Sequence, residues 1–256
     1  MARLGFARRL ASADRCLVGT WVKIPALEPL EILADAGFDF IVIDQEHAPL
    51  TFEFAYQATV VAQGAGMSVL VRVPDRSGSH LQRLLDVGVD GILVPRVTSV
   101  EEAASAVRQM LFSPAGDRGL GTTSRAGRWG GTPREEYLRF GDEEVMRAVQ
   151  LEERVAIEAA DGILDVAGLN GVFLGMGDLQ LSSGLSQSDP EIQKLVDRLL
   201  TAAHERGVPA GTAVQTAAQA QAAADRGYRY VMVSNDTSLL RSAAASVVAD
   251  LRSRSA

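Results

Sequence analysis

The chain has 256 residues, 47% of them hydrophobic and 22% charged, which is enough apolar material for a large core and a length typical of a (β/α)8 barrel. A formal net charge of −7 argues against a nucleic-acid partner, because holding phosphate backbones needs a basic field. The single cysteine, Cys16, leaves no intramolecular disulfide framework and no cysteine-based zinc site, and suits a reducing cytosol.

Residues 1–15 are basic but lack the apolar core of about seven residues that an export signal carries; they read as a short amphipathic helix closing the bottom of a barrel. No apolar run reaches the roughly 18 residues of a membrane span, so a cytoplasmic protein with no membrane partner is expected. Strand and helix patterns then alternate. Strands are predicted near 17–24, 39–44, 68–73, 91–95, 147–152, 170–175, 209–214 and 229–234. Helices are predicted near 28–36, 51–64, 79–87, 99–111, 153–167, 189–206, 216–226 and 237–253. That order describes an α/β protein, a (β/α)8 TIM barrel in one domain over residues 1–256, with a short helix ahead of the first strand. No G-x-G-x-x-G follows the first strand, so a dinucleotide site has no support.

An internal repeat supports the count. Asp35-Ala-Gly37-Phe, Asp86-Val-Gly88-Val and Asp225-Arg-Gly227-Tyr each precede an apolar run, and Asp165-Val-Ala-Gly168 varies the theme by one residue. Each passes from a helix end to a strand through glycine, which takes the left-handed conformation that closes a helix. The alternation is interrupted once, by Ser113–Pro133 with six glycines and with Arg118, Arg125, Arg128 and Trp129. A connection of roughly 20 residues in a compact domain is functional or disordered, and this one reads as a substrate-side or subunit-contact loop.

In a parallel barrel, ligands collect at the carboxyl ends of the strands. Five apolar runs end there in polar residues: Phe40–Ile43 before Asp44, Glu46 and His47; Val69–Arg72; Ile92–Arg96; Val149–Glu152; and Val172–Asp178. Glu152 and Asp178 end neighbouring strands in this reading. Two converging carboxylates repel unless a cation or a shared proton lies between them, and an all-oxygen set suits Mg²⁺ or Mn²⁺, with Co²⁺ a further option. Both carboxylates also read as helix-start caps.

His47 is one of three histidines and the only one predicted at a strand tip; Asp44 and Glu46 beside it would raise its basicity, and a plain loop histidine is the alternative. Arg72 ends an apolar strand and needs an anion, either a substrate oxygen or Asp44 or Glu46. Gln150 shares a strand face with Glu152 and is placed to donate to a substrate oxygen. Gly175, Met176 and Gly177 offer unhindered backbone N–H groups to a carboxylate, or form a tight turn. Asp86 reads as part of an αβ corner, like Asp35 and Asp225.

Taken together, Ile43-Asp-Gln-Glu-His-Ala-Pro49, Leu84-Leu-Asp-Val-Gly88 with Leu93-Val-Pro95, Ser113–Gly121, Arg125–Trp129, Val149-Gln-Leu-Glu152 and Gly171–Leu179 resemble, in order, the metal-dependent class II pyruvate aldolases of the HpcH/HpaI family. The resemblance runs from about residue 17 to residue 250. It implies reversible aldol cleavage of a 4-hydroxy-2-oxo acid to pyruvate, or a hydroxypyruvate-like donor, and an aldehyde. It implies Glu152 and Asp178 as metal ligands, His47 as the base, Arg72 at the enolate oxygen, and Gln150 with the Gly177 backbone on the oxo acid. Asp86 would pair with His47 across a subunit interface, in a homo-oligomer (a hexamer built as a trimer of dimers) whose last helix is exchanged between subunits. The chain departs from the family pattern at Gly175-Met-Gly-Asp178, at Gln45 in place of a glycine, and at Thr212-Ala-Val-Gln215. A carbon–carbon lyase acting on CoA thioesters, and a non-catalytic metabolite-binding barrel, are the rival readings.

Overall fold

The computed structural model describes residues 4–253. Eight strands, β1 (Leu17–Val22), β2 (Phe40–Asp44), β3 (Ser68–Arg72), β4 (Gly91–Val94), β5 (Met146–Leu151), β6 (Gly171–Leu174), β7 (Ala210–Val214) and β8 (Tyr230–Asn235), close into a barrel in sequence order. Every pairing is parallel, including β1 with β8. The predicted eight β/α units are therefore present, with strand ends within a residue or two of expectation.

Strand periodicity sorts side chains into two cores. Phe40, Val42, Leu70, Leu93, Met146, Ala148, Phe173 and Tyr230 fill the barrel, while Ile41, Ile43, Val69, Val71, Ile92, Val149 and Val172 face the surrounding helices. Helix α1 (Phe6–Ser12), shorter than the 1–15 expected, adds Phe6 and Leu10 to the inner core. It plugs the amino end of the barrel, so only the carboxyl end is open to ligands.

Around the strands run α2 (Glu28–Asp35), α3 (Phe52–Gly64), α4 (Gly78–Val87), α5 (Val100–Met110), α6 (Arg134–Glu143), α7 (Arg154–Glu158), α8 (Ala160–Leu164), α9 (Met176–Ser183), α10 (Pro190–Glu205), α11 (Ala217–Asp225) and α12 (Asp236–Ser253). Thr51, Ser99, Asp189 and Thr216 cap α3, α5, α10 and α11 through their side-chain oxygens. The repeated corners behave as read: Gly37, Gly88, Gly168 and Gly227 have φ of 91°, 86°, 88° and 108°.

Three expectations need correction. Helix α6 was not anticipated; Pro133 ahead of Glu135 and Glu136 is its start signal. The helix expected over 153–167 is two short ones, α7 and α8, meeting at Ala159. Residues 176–183 form helix α9 rather than the end of a strand or a tight turn.

The last helix leaves the barrel. From Leu239 to Ser253 every residue of α12 is exposed, including Leu240, Val247 and Leu251 at 63%, 61% and 63%, and its main contacts are with β1 and β8 at its own start. It does not occupy the groove between α11 and α2 that a self-contained barrel would give it. Among the described residues no helix is long and apolar enough to cross a membrane.

Candidate active site

The open end of the barrel gathers the predicted residues through strand register. Asp44 and Arg72 are register partners on β2 and β3, and the same inward parity that buries Phe40 and Val42 points Asp44 into the barrel. Arg72 donates from Nε to Asp44 Oδ1 at 3.0 Å and from Nη2 to Oδ2 at 2.8 Å. Its Nη1 stands 3.1 Å from Glu46 Oε2, and its guanidinium lies over the Trp21 ring, 4.3 Å from the centroid. Of the two partners considered for Arg72, the carboxylates are in place, and the arginine also lines a cavity of about 290 Å³ with Trp21, Gln150, Gly177 and Asp178.

Asp44 accepts further bonds from Lys23 Nζ and from the backbone N–H groups of Glu46 and His47. Burial pushes its carboxyl up, but Arg72, Lys23 and the His47 N–H outweigh burial and hold it at about 2. Asp44 is therefore a fixed anion that shapes the β2–α3 loop. Lys23, just beyond β1, continues the inward parity of Trp21, and that parity is the signal that places it at this site.

Glu152 is the residue after β5 and is buried, whereas Asp178 is not at a strand end but in the first turn of α9, four positions beyond Leu174, and is exposed. Both line a second cavity, of about 330 Å³, with Glu46, His47 and Arg96. Burial pushes the Glu152 carboxyl up; Asp178 and Glu46 add to the rise, against the Gln150 amide, which donates from Nε2 to Glu152 Oε2, and against Arg72. Among the described residues no group of three or more His, Cys, Asp or Glu side chains is arranged to hold a metal. Glu152 and Asp178, both on the wall of this cavity, have the oxygen-only chemistry that would fit a hard divalent cation keeping most of its positions for water and substrate.

Gln150 Oε1 is buried at the site with no hydrogen-bond partner, and Glu46 Oε2, also buried, has its ion pair with Arg72 but no hydrogen bond. Gly175 precedes α9, and its N–H is used by the Leu151 carbonyl. The next N–H groups, of Met176, Gly177 and Asp178, open an eight-residue helix and have no acceptor within it, so they face an incoming anion with the helix dipole behind them. A side chain on Gly175 would run into Glu152 Cβ at 2.7 Å, so the close strand–helix approach demands glycine.

His47 is half exposed, with Nε2 3.7 Å from Glu46 Oε2. Its loop is tied down by Gln45, whose amide donates to the carbonyls of Leu50 and Thr51 and whose Oε1 meets His80 Nε2 at 2.9 Å. His80, on α4, thus supports the loop. Asp86 is not brought to His47 within the chain. It lies at the far end of α4, 3.2 Å from the buried Arg118 guanidinium and 3.3 Å from the Tyr137 hydroxyl. Two larger hollows, of about 530 and 560 Å³, lie beside the Arg118–Trp129 segment and beside α1 and α10; neither includes the carboxylate pair.

A closed parallel barrel with carboxylates, an arginine and a histidine at its open end has the layout of an enzyme active site, and comparison with known proteins gives its class as a carbon–carbon lyase. Residues 18–243 match the HpcH/HpaI aldolase/citrate lyase family, and the chain belongs to it. It is 33% identical over 240 residues to a 4-hydroxy-2-oxo-heptane-1,7-dioate aldolase of Escherichia coli, covering 93% of this chain and 91% of the relative. A 5-keto-4-deoxy-D-glucarate aldolase of Citrobacter koseri is 31% identical over 234 residues, covering 91% and 90%. The crystal structure of an HpcH/HpaI aldolase from Desulfitobacterium hafniense superposes with a TM-score of 0.90 at 31% identity, covering 97% of each chain. The protein is an aldolase of this family.

Proposed function

We propose that the protein cleaves 4-hydroxy-2-oxo acids reversibly to pyruvate, or a hydroxypyruvate-like donor, and an aldehyde, with the help of a divalent cation such as Mg²⁺ or Mn²⁺. The observation that carries the reading is the convergence of Glu152 and Asp178 beside the free N–H groups of α9, with Arg72 on the adjoining wall. Glu152 and Asp178 would hold the cation, which supplies Lewis-acid polarisation of the oxo acid. The substrates named for the relatives, a 2-oxo dioate and a keto-deoxy sugar acid, are of the same chemical kind.

The chain's own groups divide the remaining work. The N–H groups of Gly177 and Asp178 and the Gln150 amide receive the substrate carboxylate, whose charge the helix dipole favours. Arg72, held rigid by Asp44 and Trp21, places an N–H where the C2 oxygen gains charge as the C3–C4 bond breaks. His47 takes the proton from the C4 hydroxyl, the C3–C4 bond breaks and the aldehyde leaves, and the same proton, returned from His47 directly or through water, reaches C3 to give the methyl group of pyruvate. Trp21 and Phe173, packed edge-to-face at 5.9 Å, form the dry floor beneath.

The exposed stripe of α12 supports a homo-oligomer in which this helix is exchanged with a neighbour, as in a hexamer of three dimers. The lone Cys16 suits a cytoplasmic location. The chemistry is tested by treating the enzyme with EDTA and, separately, with borohydride plus pyruvate. Loss of activity with EDTA and no covalent trapping are expected; trapping on Lys23 with full activity in EDTA would sink the proposal.

A further inference from the structure

We propose that Arg96 selects the acceptor, holding the carboxylate of an anionic aldehyde while the 2-oxo acid occupies the Glu152–Asp178 side of the site. The inference rests on the aldolase reading above and names the class of its second substrate.

Arg96 follows β4 and has a φ of 56°, one of four non-glycine residues among those described with positive φ. Three neighbours hold it there. Pro95 precedes it with a restricted backbone, its own carbonyl accepts from Arg76 Nη1 at 3.1 Å, and the Val97 N–H donates to the Gln150 carbonyl at 3.3 Å. A left-handed arginine kept in place by its surroundings is a feature more often found at working sites than elsewhere.

The side chain is exposed and lines the cavity that contains His47, Glu152 and Asp178. Among the described residues its guanidinium has no hydrogen bond and no ion pair. The other cations of this rim are engaged: Lys23 and Arg72 share Asp44, and Arg76 meets Glu102 at 2.8 Å. Arg96 is therefore the uncommitted positive group beside the proposed base. An anionic aldehyde approaching His47 must pass Glu46 and Glu153 on the same cavity wall, and repulsion there would disfavour it unless a cation received it. The planar guanidinium fork matches a carboxylate, and an exposed arginine has the reach to meet one carried a few carbons from the aldehyde.

The test is the condensation of pyruvate with two aldehydes of similar length, succinic semialdehyde and butanal, by wild type, Arg96→Met and Arg96→Lys. C3 deuterium exchange of pyruvate, which needs no acceptor, is followed in parallel. For Arg96→Met the ratio of kcat/KM for the anionic over the neutral aldehyde should fall roughly tenfold to a hundredfold, through KM, with pyruvate exchange retained and partial recovery in Arg96→Lys. An unchanged ratio, or equal losses for both aldehydes as expected if Arg96 only balances the nearby carboxylates, overturns the proposal. Wild type lacking both exchange and condensation would overturn the aldolase reading itself and this inference with it.

Discussion

Asp44 and Arg72 face one another across adjacent strands and close a two-point ion pair of 3.0 and 2.8 Å at the open end of the barrel. The pair is buried, and Lys23 and the backbone N–H groups of Glu46 and His47 complete the Asp44 shell. One carboxylate thus orients the arginine proposed for the enolate oxygen and the loop that carries the proposed base.

Removing that carboxylate has a calculable consequence. The Asp44 carboxyl is held down at about 2 against an ordinary value of 3.8, so its contribution is present above the ordinary value and is lost as pH falls toward 2. That shift corresponds to about 2 kcal/mol. Asp44→Asn, which leaves Lys23 without its carboxylate and Arg72 with Glu46 alone, should cost about 3–5 kcal/mol in urea unfolding at pH 7. The difference from wild type should shrink as the pH is lowered through 4 to 2. A variant as stable as wild type at neutral pH would show that the pair is ornamental.

Glu152 titrates in the opposite sense. Its raised carboxyl means the folded state holds a proton more tightly than the unfolded chain, so ionisation with rising pH weighs against folding. A cation relieves that penalty. Mg²⁺ or Mn²⁺ should therefore raise Tm at pH 7 to 8, by less at pH 5, and not at all in Glu152→Gln. Equal shifts in wild type and variant would place the cation elsewhere.

Helix α12 should control assembly. Leu240→Glu combined with Val247→Glu charges its exposed apolar stripe, and sedimentation should show a smaller particle than for wild type. The loss of mass should be accompanied by loss of activity if sites are completed between subunits. A wild-type monomer with full activity would remove the basis for exchange.

Asp86 offers a sharper test of shared sites. Within its own chain it neutralises Arg118, so Asp86→Asn should cost roughly 1–3 kcal/mol in stability even if it has no part in the chemistry. Pairing with His47 of a neighbour predicts more: mixed oligomers of Asp86→Asn and His47→Ala should recover activity that neither has alone. Confirmed mixed oligomers without recovery would confine Asp86 to its contact with Arg118.

Much of this protein is local in origin. Alternation of apolar runs with amphipathic stretches gives eight β/α units, glycine corners recur where helices end, and period-two parity decides which strand residues face the barrel interior, as for Asp44, Arg72 and Gln150. Those properties follow from backbone sterics and from burial of one face, so neighbouring residues suffice to read them. The tertiary structure decided what depends on distant parts meeting. It set Asp178 in the first turn of a helix rather than at a strand end, joined Lys23 to Asp44 across two strands, and seated His80 against Gln45. It held Arg96 in a left-handed backbone through Arg76 and Gln150. It also carried α12 away from its own barrel, which no local pattern distinguishes from a helix packed at home, because the same apolar stripe serves either arrangement and only the geometry after β8 chooses between them.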